Sequence, residues 1–87
     1  MFNVYVLYSP GYDKIYIGFA ANLHARFASH TELATKGYTV RYRPWEILYT
    51  ESYNTKQEAM NREKQLKSHQ GRNFIRGLVI EKYGRIK

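Results

Sequence analysis

The chain contains no cysteine, which excludes a disulfide scaffold and any metal site built from thiolates. It also lacks any run near the roughly 18 to 20 apolar residues that a membrane-spanning helix needs. The amino-terminal residues do not show the basic and then apolar order of a signal peptide. We therefore expect a cytoplasmic protein with no membrane partner.

Acidic residues are scarce. Seven Asp and Glu stand against 14 Lys and Arg, so the formal net charge is +7. This excess favours a polyanionic partner, with nucleic acid as the first candidate, although a basic surface can also serve solubility or nonspecific association. Hydrophobic residues make up 44% of the 87 residues, which is enough for one small ordered domain over residues 1–87.

The first 20 residues predict a β-hairpin. Two strand-like runs, residues 4–8 and 15–18, flank a turn signal at residues 10–11. With an even number of loop residues, paired positions sum to an odd number, so Tyr5 and Tyr16 project from the same face. Two phenols on one face indicate an active site, although strand parity equally allows simple aromatic packing. The opposite face is predicted to be the core, with Val4, Val6, Tyr8, Ile15, Ile17 and Phe19.

After the hairpin, the pattern predicts a helix, a loop and a third strand. Asn22 is a suitable N-cap, and apolar residues recur at helical spacing to about residue 33 or 34. Residues 35–43 are predicted to form an exposed loop. A strand is then predicted over about residues 45–53, with one face carrying Trp45, Ile47, Tyr49 and Tyr53.

The last third of the chain predicts two helices. Thr55 and Glu58 form a capping box that opens the first of them, which ends near residue 68 or 69 with Gly71 as a stop signal. The last helix covers about residues 72–82. The fold class is therefore α+β, with a small, mainly antiparallel sheet covered by helices in the order β-β-α-β-α-α.

Three polar residues interrupt the apolar stripes of the helices. At 100° per residue from Leu23, His30 falls at about −20°, inside the stripe, and Arg26 at about −60°, at its border. Ordinary packing of a histidine and of an arginine stem is the alternative to a functional role. Glu63 also faces inward, and a buried carboxylate needs a partner. That partner is either a cation from Arg26, Lys64 or Lys67, or a divalent metal such as Mg²⁺ or Mn²⁺.

Together, these groups match the needs of phosphodiester hydrolysis. A base must activate water, a metal must screen the phosphate, and a cation must stabilise the charge that develops on its oxygens. A phenol has a pKa of about 10, so Tyr5 is a poor base unless a metal, Arg26 or a hydrogen bond lowers its pKa.

Four segments of the chain resemble the GIY-YIG endonuclease superfamily, specifically its small stand-alone domains similar to the amino-terminal nuclease domain of the excinuclease subunit UvrC. Asn3-Val4-Tyr5 stands at the GIY position and Tyr16-Ile17-Gly18 at YIG. Residues 22–30 match an L-x-x-R-x-x-x-H helix, and residues 58–67 match E-A-x-x-R-E-K-Q-L-K. Asn and Val replace the Gly and Ile of GIY. The resemblance implies a three-stranded antiparallel sheet flanked by helices.

The resemblance also implies residue roles. It implies one divalent metal, Mg²⁺ or Mn²⁺, held by Glu63. The implied roles are general base for Tyr5, positioning of water or phosphate for Tyr16, charge stabilisation for Arg26, hydrogen-bonding support for His30, and an additional active-site contact for Asn73.

We therefore predict a metal-dependent endonuclease that acts on DNA in a structure- or damage-related process such as DNA repair. Eight of the 14 basic residues lie in the last 26 positions and predict a phosphate-tracking surface, with a solvated helix face as the alternative for each: Arg62, Lys64, Lys67, Arg72, Arg76, Lys82, Arg85 and Lys87. Lys67 and Arg72 are its first candidates, followed by Lys64 and Arg76. The alternatives are a nucleic-acid binding module with little activity of its own, and a role on RNA. Because no recognition domain accompanies the nuclease-like segments, a protein partner is another candidate source of specificity.

Overall fold

The computed structural model describes residues 1–28 and 38–84. These residues form β1 Phe2–Ser9, β2 Lys14–Ala20, α1 Leu23–Ala28, α2 Tyr38–Arg41, β3 Glu46–Tyr53, α3 Lys56–Lys67 and α4 His69–Tyr83. The predicted α+β class and the order β-β-α-β-α-α are confirmed, with the four-residue helix α2 as an addition. Within the described ranges, no helix is long and apolar enough to cross a membrane.

The sheet has the strand order β2-β1-β3, and both pairs are antiparallel. Ser9 pairs with Lys14, so residues 10–13 form the connecting loop, and its length is even. Tyr5 pairs with Gly18 and Leu7 with Tyr16, which confirms that the two tyrosines share a face.

Both faces of the sheet are covered, which corrects the expectation of a single core face. On one face, the strands pack against α3 and α4 through Val4, Val6, Ile17, Ala59, Leu66 and Ile75. On the other face, Tyr5, Leu7 and Trp45 form a second cluster with Leu23 and Phe27 of α1 packed against it. The reason is that β1 is the central strand, so its residues 4–9 are buried on both sides.

A β-bulge divides β3 into two halves. On either side of the bulge, odd-numbered residues face opposite sides of the sheet. Val6 pairs with Tyr49 whereas Leu7 pairs with Ile47, so Leu48 is the extra residue. Tyr49 therefore packs on the α3–α4 side, and Ile47 packs with the Tyr5 cluster. The prediction that Trp45, Ile47, Tyr49 and Tyr53 share one face is wrong, because an inserted residue reverses the alternation.

The start of α3 follows the prediction, and its end at Lys67, with Ser68 as the C-cap, lies next to the predicted residue 68 or 69, but the predicted stop signal is wrong. The capping box is present, with the Thr55 hydroxyl accepting from the Glu58 backbone N–H at 3.2 Å. Gly71 does not end this helix, because it lies in the first turn of α4, where its N–H donates to Ser68 Oγ at 3.2 Å. A Cβ on Gly71 would lie 2.5 Å from the Leu66 Cα. Glycine is needed here so that the start of α4 can approach the end of α3.

The segment before β3 is more ordered than the predicted exposed loop. Thr39 of α2 is buried, and its carbonyl accepts a hydrogen bond from the Trp45 indole N–H at 2.6 Å. A buried Trp needs a partner for its N–H, so this bond attaches α2 to the second cluster. The remaining part of the predicted loop, residues 35–37, lies outside the described residues.

Candidate active site and adjoining cleft

Tyr5 and Tyr16 form the centre of the candidate site. Their rings are stacked with centroids 6.3 Å apart and planes inclined by 23°. Tyr5 is fully buried, and Gly18 lies under its phenol: a Cβ on Gly18 would be 2.7 Å from the hydroxyl oxygen and 2.9 Å from Cζ. A glycine is therefore needed at position 18, because any side chain there would displace the Tyr5 phenol.

Arg26 approaches Tyr5 from α1. As predicted, Asn22 caps this helix, since its side-chain oxygen accepts from the Ala25 N–H at 3.1 Å. Arg26 lies one turn into the helix, and its guanidinium donates a hydrogen bond to the Tyr5 phenol. The cap sets where the helix begins and so places Arg26 over the end of the Tyr5 side chain.

The surroundings of Tyr5 make its phenol harder to ionise. Burial is the largest cause and raises the pKa of Tyr5, while the hydrogen bond from Arg26 lowers it. The nearby Tyr16 and the Glu63 carboxylate act in the same direction as burial, and the net effect is a raised pKa. Tyr5 is therefore protonated at neutral pH in the free protein, and Arg26 alone does not give it the lowered pKa that a base needs.

Glu63 reaches the same region from α3. It is half-buried on the helix face that carries Ala59 and Leu66, and it interacts electrostatically with Tyr5. Its carboxylate also accepts from the Lys67 ammonium at 3.3 Å. Of the cations considered from the sequence, Lys67 is thus an observed ion-pair partner, four residues along the same helix.

The other predicted site residues are not seen in contact with Tyr5 in the part of the chain that the structure describes. His30 lies outside the described residues. Asn73 is exposed on α4, with its amide nitrogen 3.4 Å from His69 Nε2 on the same helix. Lys64 is exposed on α3. No described contact brings Asn73 or Lys64 to Tyr5, so their assignments remain predictions.

A cleft of about 440 Å³ adjoins the tyrosine pair. It lies between β2 and the α3–α4 junction, and it is lined by Asp13, Lys14, Ile15, Tyr16, Ile17, Lys67, Arg72 and Arg76. Tyr16 belongs both to the cleft and to the site around Tyr5. Four of the lining residues are basic and one is acidic. The cleft therefore offers positive charge directly beside the candidate site.

One ion pair and one hydrogen bond fix the positions of two arginines that line this cleft. Arg76 donates to the Asp13 carboxylate at 2.6 Å, which connects α4 to the β1–β2 loop. Arg72 donates through Nε to the Lys67 backbone carbonyl at 3.2 Å. Asp13 and Lys14 were not predicted as functional, because a single polar or basic residue at a strand end carries no periodic signal.

Arg62 does not contribute to the basic surface as predicted. It forms a two-point ion pair with Glu51 of β3, at 2.9 and 3.1 Å. The same carboxylate accepts hydrogen bonds from the hydroxyls of Tyr49 and Tyr53. This network ties β3 to α3 and is structural, because its donors are already occupied.

Among the described residues, Glu63 is the carboxylate beside Tyr5 that would hold a divalent cation. Among residues 1–28 and 38–84, no group of three His, Asp or Glu side chains is placed to share a metal. A single carboxylate such as Glu63, with water and phosphate oxygens completing the shell, is a usual arrangement for Mg²⁺. The half-buried Glu63, paired with the cleft residue Lys67, fits that requirement.

Comparisons with known proteins agree with this geometry. The family model for the GIY-YIG catalytic domain matches residues 1–76. A UPF0213 protein of Staphylococcus epidermidis is 38% identical over 56 residues, which cover 64% of this chain and 68% of that protein. A UPF0213 protein of Staphylococcus aureus is 34% identical over 63 residues, which cover 72% and 77%. No solved structure matches the chain.

Proposed function

The chain belongs to the GIY-YIG catalytic domain family, a nuclease family, and we propose that it is a divalent-metal-dependent endonuclease that hydrolyses phosphodiester bonds in DNA. The observation that supports this most strongly is a cluster drawn from four elements. Tyr16 of β2 stacks on Tyr5 of β1, Arg26 of α1 donates a hydrogen bond to the Tyr5 phenol, and the charge of Glu63 on α3 acts on the same phenol. Tyr16 also lines the adjoining basic cleft.

Each member of the cluster has a role in this proposal. Arg26 carries a permanent positive charge that stabilises the negative charge developing on the scissile phosphate. Tyr16 reaches the cleft and positions the attacking water or the phosphate by hydrogen bonding. Glu63 would hold the metal. A bound Mg²⁺ or Mn²⁺ would screen the phosphate and lower the pKa of a neighbouring water or phenol.

The role of Tyr5 depends on how much positive charge surrounds it. To accept a proton from water, its phenol needs more positive charge than Arg26 supplies, since burial raises its pKa. If its phenol stays protonated, Tyr5 instead donates a hydrogen bond to the phosphate. Tyr5→Phe and Tyr16→Phe distinguish the two roles: loss of the rise of rate with increasing pH in only one variant identifies the proton acceptor, whereas loss of the fall at high pH identifies a phenol that must stay protonated.

The cleft is the proposed path of the nucleic acid. Lys14, Lys67 and Arg72 line it and provide positive charge that complements the phosphates of a nucleic-acid backbone. Contacts of this kind position the nucleic acid without reading its bases, which suits recognition of a DNA structure or lesion, as in repair.

The decisive experiment compares Glu63→Gln with Glu81→Gln on nicked, branched and flapped DNA. Glu81 is an exposed carboxylate of α4 and serves as the matched control. We expect Glu63→Gln to abolish cleavage in Mg²⁺ and Mn²⁺ while binding in EDTA persists, and Glu81→Gln to behave as wild type. A wild-type protein that binds these DNAs and cuts none of them would instead be a binding module. Matched RNA substrates test the choice of nucleic acid.

A further inference from the structure

A second surface near the site combines exposed aromatic area with positive charge. We call it the aromatic–cationic patch and define it as Tyr12, Lys14, Arg41 and Tyr42. Tyr12 is 54% exposed, and its ring meets Tyr42 edge-on with centroids 5.4 Å apart. The Lys14 ammonium lies 5.3 Å and the Arg41 guanidinium 5.9 Å from the centre of the Tyr42 ring.

The patch is held in place from below. Tyr42 packs against the buried cluster of Tyr5, Leu7 and Trp45. The Tyr12 N–H donates to the Ser9 carbonyl at 3.3 Å. The next residue, Asp13, accepts from the buried Tyr8 hydroxyl at 2.8 Å and from Arg76 at 2.6 Å. An exposed aromatic ring with fixed neighbours loses little conformational entropy when a flat ligand stacks on it.

The patch is continuous with the cleft. Lys14 belongs to both, and Tyr16, two residues further along β2, connects the cleft to the candidate site. Alternate residues of a strand lie on one face about 7 Å apart. A chain that places a phosphate beside Tyr16 therefore passes Lys14, and the Tyr42 ring that Lys14 contacts also meets Tyr12.

We propose that the patch stacks an unpaired nucleobase next to the scissile phosphate, so that the preferred substrate is DNA with unpaired nucleotides. This rests on the proposed function. The faces of bases in a continuous duplex are covered by their neighbours, whereas a flap, gap or overhang exposes them. Aromatic rings interleaved with cations are the usual means by which proteins hold single strands. Lys14 and Arg41 supply the charge that complements the flanking phosphates.

The test measures binding, independently of cleavage. Glu63→Gln protein in EDTA is titrated with a hairpin duplex that carries a short single-stranded overhang, and with a blunt hairpin that has the same number of phosphates. Affinity is read by fluorescence anisotropy, and stacking is read by quenching of 2-aminopurine in the overhang. Tyr12→Ala should weaken overhang binding by about fivefold or more, the lower end of stacking contributions, and leave blunt binding unchanged. Tyr12→Phe keeps the ring and should retain both affinity and quenching.

Results other than these would overturn either stacking at Tyr12 or the nuclease proposal. Equal loss on both hairpins, or no loss on either, overturns stacking at Tyr12 while the nuclease proposal stands. Overhang binding that depends on Tyr12, in a protein whose wild type cuts nothing, supports stacking and overturns the nuclease proposal. A Tyr12→Ala variant that changes the molar mass in light scattering, with unchanged DNA binding, assigns the patch to protein contacts instead.

Discussion

Gly18→Ala is the most direct test of the geometry at the candidate site. The added Cβ would lie 2.7 Å from the Tyr5 hydroxyl oxygen, so that oxygen has to move by about 0.7 Å to reach an ordinary contact of 3.4 Å. Tyr5 is buried beneath its neighbours, so the movement disturbs packing, and we expect a loss of about 1–3 kcal/mol of unfolding free energy. A displacement of this size at a reacting group lowers the cleavage rate on the order of 100-fold.

Two measurements separate folding from catalysis in this variant. Urea unfolding gives the stability, and cleavage of the best DNA of the panel gives kcat at a temperature where the variant is folded. Gly77→Ala is the matched control: a Cβ there meets no atom within 4 Å, so we expect a stabilisation of about 0.5–1 kcal/mol in α4 and unchanged cleavage. In a Tyr5→Phe background, the stability cost of Gly18→Ala should shrink, because the nearest contact atom is gone. A folded Gly18→Ala protein with wild-type kcat would refute the requirement for Tyr5 in this position.

Three further predictions concern stability. Gly71→Ala should lower the free energy of unfolding, measured in urea, by about 3 kcal/mol or more, because the new Cβ meets backbone atoms of Leu66 that cannot move aside. An unfolding midpoint equal to that of the wild type would contradict the close contact between α3 and α4. At Glu51, burial opposes ionisation, but the bonds from Arg62 and the two tyrosines outweigh it and lower the pKa below 4.5. Its stabilisation is thus complete above about pH 4.5 and is lost as pH falls through the lowered value, so Glu51→Gln should show a weaker acid loss than wild type in a pH series of thermal melts. Burial, and then Asp13, raises the pKa of Tyr8 to about 12, so stability is complete below about pH 10 and is lost as pH rises towards 12; Tyr8→Phe should reduce that alkaline loss, and an unchanged alkaline slope would count against it.

Local rules predicted the parts of the fold that depend on near neighbours in the chain. The capping box at Thr55 and the N-cap at Asn22 are each complete within four residues, and both are present. The shared face of Tyr5 and Tyr16 follows from strand parity and an even loop, and the register confirms it. The inward position of Glu63 follows from helical periodicity, and the carboxylate is half-buried.

The failures have a common cause, which is contact between residues far apart in sequence. The bulge at Leu48 reverses the alternation of β3 through pairing with β1, and no local pattern marks it. Gly71 was interpreted as a helix stop because local rules assign glycine to helix ends, whereas here it accommodates the backbone of α3. Arg62 was counted as surface charge because its partner, Glu51, lies on another element.

By itself, the sequence determined which residues are chemically able to act and on which face of each strand or helix they lie, because both follow from residue type and from periods of two and 3.6 residues. Only the tertiary structure decided which of them meet. Docking of α1 on one face of the sheet brings Arg26 into hydrogen-bond contact with Tyr5, and docking of α3 on the other face brings the charge of Glu63 within electrostatic range of the same phenol. The Asp13–Arg76 pair joins the hairpin loop to α4 and thereby shapes the cleft. Such contacts depend on the packing of whole elements, which no window of neighbouring residues contains.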